Sequence, residues 1–404
     1  MKSVDFLFLI EHEDREMAVA QKLKENLTKA GLKVSILSIE FHAHLYKKIV
    51  PKNIVFPYAI STNTWPIIYF LDTKYAHSNF ISLNWEQLLS TANQKFKKPK
   101  GDLLKKHFKH LAWHEDFLRF LTESGVNTEN VRVIGNPLHE LLHEDIQKKS
   151  DNRLKLKKEF GKTLDNEVVF FPMNYGWAFF DEKKIIAKIK QGYDESTAYD
   201  YRSYSKKCLE KYLDFIVELA NTNTNKTFVI RPHPSITENQ YIESFESRGL
   251  QLPPNILITK MFTIKEWISI SSIVGSSWST SVWDSVQIGK PGFLFTPYPR
   301  PHWLETYWNT LVPNISSPEE FKSLTKTFNQ NKNNPDNIIL RITDWLLEIA
   351  SHKKSYSLSK PSYFLSFNVF LYTLRSRIRY YLMSWFNGVG VKDGLKRDFF
   401  KPQI

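Results

Sequence analysis

The sequence is short of the residue types that build covalent cross-links and thiolate metal sites. Its 404 residues include a single cysteine, Cys208, which excludes an internal disulfide and a zinc site made of cysteines. There is no Asp-x-Asp triplet, and no Gly-x-Gly-x-x-Gly motif follows the first predicted strand. These absences argue against a dinucleotide site at that strand, and we expect a metal-independent protein that needs no cofactor.

Acidic residues are outnumbered by basic ones. The formal net charge is +13, 42% of the residues are hydrophobic and the mean hydropathy is −0.37, which is typical of a globular protein with an anionic partner or a merely solubilising surface. The basic run from Asn93 to Lys109 lacks the module signature of an RNA binder, so no nucleic acid partner is expected. That run is either a solvated face or a contact for an acidic glycan or membrane phosphates.

The N-terminal residues do not have the pattern of a signal peptide. Met1 to Ile10 is a short apolar run, and Glu11, Glu13 and Asp14 follow it at once. We therefore expect a cytoplasmic location, with peripheral contact to the inner membrane as a second expectation.

The chain is too long for one compact core, so two domains are expected. It opens with a Rossmann-like pattern of a strand from Val4 to Ile10, a helix from Arg15 to Ala30 and a strand from Val34 to Leu37. Strand-like segments recur near Asn53 to Phe56 and Trp65 to Leu71. The first half is therefore predicted to be α/β.

The second half carries the most informative stretch. Phe228 to Ile230 is predicted to be a buried strand, and the turn after it presents Arg231 and His233. Ser271 to Val274 is predicted to be another strand, broken by Gly-Ser-Ser before a helix from Thr280 to Ile288. A helix start of this kind favours anions, because its free N–H groups and positive dipole end face the ligand. Gly-Lys-Pro then ends the helix ahead of a strand at residues 292–295.

These residues resemble a known family. The Arg-Pro-His-Pro turn (231–234), the Ser276-Ser277 pair and the Gly-Lys-Pro helix end (289–291) resemble the C-terminal half of bacterial retaining β-Kdo transferases, and more distantly bacterial sialyltransferases. The resemblance extends from about Asn130 to Thr296. It implies an α/β protein of the GT-B type, with two Rossmann-like domains facing a central cleft and C-terminal helices that cross back to the N-terminal domain.

The resemblance also implies an activity. The donor would be CMP-Kdo, and the acceptor a glycan or lipid-linked glycan of lipopolysaccharide O-antigen or capsule. We place an acceptor-binding domain at 1–160, a CMP-sugar-binding domain at 161–345 and C-terminal helices at 346–404. Rival hypotheses are a transferase of another activated group on the same fold, using CMP-sialic acid or CDP-glycerol, and a non-catalytic basic module that binds membrane or RNA.

The resemblance assigns roles to individual residues. Asp200, in a loop expected to cover the cleft, matches the nucleophile of a double displacement with retention; alternatively it only caps the helix expected from Tyr204 to Asn221. The CMP leaving group would be held by Arg231, His233 as imidazolium, Ser276, Ser277 and Thr280. Asp284 would bond the nucleotide ribose. Lys290 is expected to point away from the sugar, as an exposed lysine at the helix end.

An acceptor base is harder to choose. Glu86 and Glu115 both fall in loop or helix-start positions of the first domain, where an ordinary solvent-facing glutamate is the alternative. Glu11, His12 and Glu13 follow the first strand, where they either face an acceptor or form a solvated acidic loop.

The tail predicts one long helix with an apolar stripe. The stripe repeats at three and four residues between Tyr363 and Trp385. Its uncharged run spans roughly 18 Å, too short to cross a bilayer. Either the stripe packs on the first domain, or its aromatic residues and the following basic ones lie on the inner membrane. The stripe consists of Phe364, Phe367, Leu371, Leu374, Ile378, Tyr381 and Trp385.

Overall fold

A computed structural model describes residues 2–61, 78–327, 337–352 and 363–404. The strand predicted near Trp65 to Leu71 lies outside these residues. Within the described ranges, no helix combines the length and the apolar character needed to cross a bilayer.

The chain divides into two compact units. Unit 1 comprises 1–88, 97–138 and 337–404, and unit 2 comprises 89–96 and 139–336. The last segment of the chain therefore returns to the unit that contains the first strand, as expected for the fold. The unit borders differ from the expected ones, because residues 139–160 belong to unit 2. There Phe160 packs on Trp267, with ring centroids 5.7 Å apart, and Asn152 donates to Ser269.

Unit 1 is built on a parallel sheet of six strands in the order β2-β1-β3-β4-β5-β6. Its centre is β1, in which Phe6 to Ile10 are all buried, because this strand is covered on both faces. The order reverses between β1 and β3, which makes the carboxyl ends of these two strands the switch point of the sheet. The strands are β1 (Lys2–Ile10), β2 (Val34–Ser38), β3 (Ile49–Phe56), β4 (Asn79–Ser82), β5 (Phe108–Ala112) and β6 (Val131–Val133).

Unit 2 has a second parallel sheet, in the order β12-β11-β10-β7-β8-β9. This is the Rossmann order, and the direction of winding reverses between β7 and β10. Ligands of such sheets bind outside the carboxyl ends of the strands at that point. The strands are β7 (Glu167–Pro172), β8 (Lys226–Arg231), β9 (Ile256–Ile258), β10 (Ile273–Ser276), β11 (Gly292–Phe295) and β12 (Asn314–Ile315).

Helices connect the strands in both units, and the last three belong to the C-terminal segment. In chain order they are α1 (Glu13–Lys29), α2 (Thr91–Lys97), α3 (Glu115–Glu123), α4 (Pro137–Gln147), α5 (Lys149–Phe160), α6 (Glu182–Lys190), α7 (Glu195–Thr222), α8 (Glu238–Glu246), α9 (Ile264–Ile270), α10 (Thr280–Gln287), α11 (Pro318–Thr327), α12 (Ile338–Ser351), α13 (Tyr363–Trp385) and α14 (Asp393–Lys396).

Helix α7 begins earlier than the sequence predicts. The expected helix started at Tyr204, but α7 starts at Glu195 because the Asp194 carboxylate accepts from the Thr197 N–H at 3.0 Å and caps it. The segment ahead of it is also helical, as α6, so the prediction of a long loop is wrong. Asp200 consequently lies in the second turn of a helix, and the capping role considered for it belongs to Asp194.

The C-terminal helices pack on unit 1 with faces that the sequence did not indicate. Asn26 of α1 donates to the hydroxyl of Thr343 of α12 at 3.2 Å. In α13 the buried positions are Val369 and Ser376. The predicted stripe is instead on the outer side of this helix, so the expectation that it is buried on the first domain is wrong for Phe364, Phe367, Leu371, Leu374, Ile378 and Trp385, which are exposed.

Candidate active site

The carboxyl edge of the unit 2 sheet carries most of the predicted site residues. Strands β8 and β10 lie on either side of β7, and all three are parallel, so their carboxyl ends meet at one edge. At a strand spacing of about 4.8 Å, the ends of β8 and β10 are roughly 10 Å apart. The Arg-Pro-His-Pro turn follows β8, and the Ser276-Ser277 pair ends β10. The switch point between β7 and β10 therefore lies beside both.

The turn after β8 is held by cations of unit 2. The Arg231 guanidinium donates from Nη2 and Nε to the Phe262 carbonyl, at 3.0 and 3.3 Å. The Lys260 ammonium donates to the carbonyls of Pro234 and Ile236, at 2.9 and 3.0 Å. Phe262 has a φ of +63°, a rare value for a non-glycine residue, which these bonds help to maintain. Arg231 thus stabilises the turn. The sequence analysis predicted only a contact of this residue with the leaving group and not this structural role.

His233 lies at the tip of this turn, with a defined tautomer. Its Nδ1 atom accepts from the Ser235 N–H at 3.3 Å and lies 2.8 Å from the Ser235 hydroxyl. The proton of the neutral ring is therefore on Nε2. Desolvation, followed by the charges of Lys260 and Arg231, lowers the pKa of His233 below its ordinary value. The side chain is still exposed to solvent at this edge. The unliganded residue is thus a neutral donor near pH 7, and the imidazolium expected towards a departing CMP stays a prediction.

The hydroxyls of Ser276 and Ser277 both form hydrogen bonds within the protein. Ser276 is fully buried and donates from Oγ to the Pro172 carbonyl at 2.8 Å. Ser277 is buried too, and its hydroxyl bonds to the buried phenol of Tyr175. Both side chains thus join β10 to the end of β7, and the expectation that these hydroxyls contact a leaving group is not supported by their bonding.

Gly275 does not break the strand as predicted. It lies within β10, where a Cβ atom would come 2.2 Å from Cζ of Phe293. The residue is needed because the Phe293 ring crosses the strand at that point. The chain bends directly after the strand, at Ser277 and Trp278.

Helix α10 begins directly after this turn. Ser279 is its N-cap, with its hydroxyl accepting from the Ser281 N–H at 3.4 Å. Thr280 is the first helical residue and is exposed. The free N–H groups and the positive dipole end of this helix therefore lie at the same edge as the His233 turn. Sequence analysis predicted the helix start correctly but overlooked Ser279 as the cap.

Asp284 is paired with a residue that the sequence analysis missed. Its Oδ1 atom lies 3.0 Å from Nε2 of His139, which follows the Gly-Asn-Pro turn on helix α4. Both side chains are mostly buried. His139 also opens a His-Glu-x-x-His sequence that ends at His143, a metal-binding pattern that the expectation of no metal did not weigh. In the described part of the chain, no three His, Cys, Asp or Glu side chains are arranged to hold a metal ion.

Asp200 lies on the exposed side of helix α7. Its neighbour Tyr201 is buried and stacks on Trp177, with ring centroids 4.5 Å apart, and it also contacts Trp303 at 4.6 Å. The tyrosines of this segment thus anchor the helix in an aromatic cluster. Among the described residues, the Asp200 carboxylate makes no hydrogen bond, whereas that of Asp194 caps the helix.

Two further polar residues at this edge escaped the sequence analysis. Asn174 follows β7, and its Oδ1 atom is buried with no hydrogen-bond partner in the part of the chain described. Arg300 follows β11, is half-buried, and directs Nη2 to the Ser277 carbonyl at 3.5 Å and to Asn314 at 3.3 Å. The signal for Asn174 was its place after the first strand of the second domain, since that strand ends at the switch point.

Unit 1 carries its own polar cluster at the switch point between β1 and β3. His12 stands at the N-cap position of α1, and its Nδ1 lies 3.2 Å from Oδ2 of Asp398. The hydrogen bond to Asp398 raises the pKa of His12. Tyr58, beyond β3, donates to Glu11 at 3.3 Å, and burial raises the pKa of Glu11. This loop is therefore half-buried and bonded, which excludes the alternative of a merely solvated acidic loop.

The predicted acceptor bases fit their role poorly. Glu86 pairs with Arg15 at 3.0 Å and with Lys97. Although burial acts in the opposite direction, the charges of Lys97 and Arg15 lower the pKa of Glu86 to about 2, so this carboxylate is a weak base. Glu115 is exposed in the first turn of α3. His12 is chemically the better base in unit 1.

Lys290 is buried, contrary to the expectation of an exposed lysine. Its ammonium donates to the carbonyls of Ser269 and Ser271, at 2.7 and 2.6 Å. Burial lowers the pKa of Lys290 to about 7. It therefore ties the end of α10 to the end of α9, away from the carboxyl edge of the sheet.

No protein-family profile and no curated protein sequence matches this chain. Solved structures are similar at low identity. They include the UDP-GlcNAc 2-epimerases of Neisseria meningitidis (15% identity, 85% of this chain and 100% of that chain, TM-score 0.55) and Methanocaldococcus jannaschii (12%, 85% and 100%, 0.53). The wall teichoic acid polymerase TagF is similar as well (12% identity, 86% of this chain and 89% of that chain, TM-score 0.51). At these identities the likeness shows the fold alone, which is GT-B with two Rossmann-like units.

Proposed function

We propose that this chain is a glycosyltransferase that takes Kdo from CMP-Kdo and transfers it to a surface glycan. The proposal rests on one observation above all: the His233 turn and the start of helix α10 lie at one sheet edge, on either side of the β7 end. The earlier resemblance of these segments to CMP-Kdo transferases supplies the donor. The GT-B fold of the neighbours, which include an enzyme bound to UDP-GlcNAc, is consistent with a nucleotide-sugar donor.

The leaving group is a phosphate monoester, and it needs donors that face its developing charge. His233 supplies Nε2–H, because the Ser235 N–H occupies Nδ1. The N–H groups at the start of α10 supply the second set of donors. Lys260 and Arg231 add positive charge close to the imidazole. The phosphodiester of the bound donor carries one negative charge, which raises the pKa of His233, and the second charge that develops as CMP leaves raises it further, so that the residue acts as an imidazolium towards the leaving group.

Asp284 and Asn174 are proposed to recognise the nucleoside. Asp284 has a second carboxylate oxygen beyond the one paired with His139, and a ribose hydroxyl is a suitable donor to it. The Oδ1 atom of Asn174 is buried without a partner among the described residues, which is costly unless a ligand donates to it. An exocyclic amine such as that of cytosine is one such donor.

Asp200 remains our candidate nucleophile for a double displacement that retains configuration. A carboxylate would attack the anomeric carbon, release CMP and then be displaced by the acceptor hydroxyl. The exposed position of Asp200 on helix α7 agrees equally well with a second candidate function, in which this residue is not a nucleophile. In that candidate, an acceptor hydroxyl displaces the nucleotide directly from a CMP-sialic acid or a CDP-linked polyol, and no enzyme nucleophile is needed. One of the structural neighbours, TagF, is a wall teichoic acid polymerase.

A donor panel tests the proposal. The protein would be incubated with CMP-Kdo, CMP-sialic acid or CDP-glycerol and candidate acceptors, and the anomeric configuration of the product read by NMR. We expect transfer from CMP-Kdo with retention, loss of transfer in Asp200→Asn and unchanged CMP binding in that variant. Glu195→Gln, an exposed carboxylate on the same helix, is the matched control and should be fully active. Transfer from CDP-glycerol alone would reject the Kdo assignment, and full activity of Asp200→Asn would remove Asp200 from the mechanism.

A further inference from the structure

Helix α13 has two faces of different character. On one face, the Tyr372 hydroxyl donates to the Ile39 carbonyl at 2.8 Å, and the Ser376 hydroxyl accepts from the Ala43 N–H at 2.9 Å. Val369, on the same side, is buried in the core of unit 1. These contacts fix the rotation of the helix about its axis, so the opposite face must point away from unit 1.

That opposite face is apolar and exposed. Phe364, Phe367 and Trp385 expose 76%, 56% and 73% of their surface. Scattered apolar residues are common on protein surfaces, but a run of large side chains along a single helix face usually marks an interaction site. We call this set the α13 apolar surface: Phe364, Phe367, Phe370, Leu371, Leu374, Ile378 and Trp385.

The surroundings of the α13 apolar surface are positively charged. Residues 363–391 contain no aspartate or glutamate. Arg375 and Arg377 are exposed on the helix, and Lys47 and Lys48 are exposed on the neighbouring segment of unit 1. Burial, then the charges of Arg377, Lys48 and Lys47, lower the pKa of His44 to about 4, so all three cations act on this one histidine. Arg379, by contrast, is neutralised by Glu40.

We propose that the α13 apolar surface docks onto a bilayer that contains anionic lipids, with α13 lying flat in the headgroup region. A helix of 23 residues is about 35 Å long, and its aromatic side chains can enter the acyl boundary while the arginines contact lipid phosphates. The positive charge around the α13 apolar surface favours an anionic bilayer over a second copy of the chain as its partner. Two copies packed through this surface would bring Arg375 and Arg377 of one copy near those of the other, whereas an anionic bilayer neutralises them.

The test uses the full chain and lipid vesicles of two compositions. One is phosphatidylcholine alone, and the other contains about 30 mol% phosphatidylglycerol. We expect binding in flotation to the anionic vesicles and little to the neutral ones. The triple variant Phe364→Ser, Phe367→Ser and Leu371→Ser should bind these vesicles at least tenfold more weakly than the unchanged chain. The double variant Arg375→Gln with Arg377→Gln should bind them roughly tenfold more weakly.

Matched control variants change equally exposed residues elsewhere. Leu154→Ser, Leu311→Ser and Leu340→Ser replace side chains exposed by 62%, 59% and 51% outside the α13 apolar surface. Lys206→Gln with Lys207→Gln removes two exposed charges of unit 2. Both controls should bind vesicles as the unchanged chain does.

A second measurement does not depend on the serine variants folding. The single native cysteine, Cys208, is buried, so Phe367→Cys and Leu340→Cys can each be labelled with an environment-sensitive fluorophore. On anionic vesicles, the label at position 367 should shift to the blue and the label at position 340 should not. Equal responses of the two labels, or equal vesicle binding by the triple variant and its control, would overturn the proposal. So would a dimer in sedimentation that the triple variant abolishes, because the surface would then serve self-association.

Discussion

The Nε2 atom of His139 lies 3.0 Å from Oδ1 of Asp284. This contact joins the turn that opens helix α4 to the second turn of helix α10, within unit 2. It fixes the orientation of the Asp284 carboxylate and leaves its other oxygen to accept a further hydrogen bond. A side chain proposed to bind ribose is thereby positioned before the ligand arrives, which reduces the ordering cost of binding.

We predict that Asp284→Ala weakens CMP binding by roughly tenfold, because one hydrogen bond to a charged acceptor is lost. His139→Ala should weaken binding less, since it removes only the positioning contact. Isothermal titration calorimetry with CMP measures both effects. Glu243→Gln, an exposed carboxylate of the same unit, is the control and should bind normally. Unchanged affinity in Asp284→Ala would exclude its contact with the nucleotide.

The protonation state of His233 gives a second prediction. Its pKa is lowered in the free protein by desolvation and by Lys260 and Arg231, and a phosphate dianion should raise it. Above that lowered pKa, CMP binding should therefore take up protons from the buffer. Titrations in buffers with different ionisation enthalpies measure the proton count. His233→Gln keeps a donor but cannot titrate, so its binding should be free of proton uptake; uptake that persists in this variant would assign the proton to another group.

The sequence allowed the sheets to be predicted well, because their strands are buried on both faces and read as continuous apolar runs. Gly292–Phe295 was predicted at its observed bounds. The start of α10 was predicted as well, since a run of hydroxyl residues before an apolar period is a local signal.

The predictions that failed concerned features that depend on contacts between residues far apart in the sequence. The hydroxyls of Ser276 and Ser277 are bonded to Pro172 and Tyr175, about a hundred positions earlier, which no local pattern reveals. The exposed face of α13 could not be chosen either, because both faces carry large apolar side chains and only packing on unit 1 selects one. Asp200 was placed in a loop because the tyrosines around it are poor helix formers; their stacking on Trp177 and Trp303 overrides that propensity.

Lys290 gives a prediction about stability. Its pKa is lowered to about 7 in the folded chain, against an ordinary value of about 10.4 in the unfolded chain. Between these values the unfolded state binds one more proton, so the free energy of unfolding should rise with pH. From pH 7 to 9 we expect Lys290 to contribute a rise of about 2 kcal/mol.

Urea unfolding of Lys290→Met at both pH values tests this. The methionine variant should be less stable at pH 9, where two carbonyls lose their donor, and the difference from the unchanged chain should shrink at pH 7. Lys207→Met, at an exposed position, should show no such change. A pH-independent difference for Lys290→Met would mean that the lysine stays charged in the folded protein.

The pairing of His12 with Asp398 gives the opposite pH dependence. Asp398 raises the pKa of His12 above its ordinary value near 6.5, so the stabilisation is fully present below that value and is lost as pH rises through the folded pKa. The Asp398 carboxylate also accepts from the Glu13 N–H at 3.2 Å, a capping contact that asparagine can keep. Asp398→Asn should therefore destabilise the protein by less than about 1 kcal/mol near pH 5.5, because His12 is partly exposed, and hardly at all near pH 8.5.

Thermal unfolding of the unchanged chain and of Asp398→Asn at the two pH values, with an NMR titration of His12 in both proteins, measures this difference. A His12 pKa that is the same in both proteins would show that Asp398 serves the start of α1 alone, and His12 would then lose its standing as the better base of unit 1.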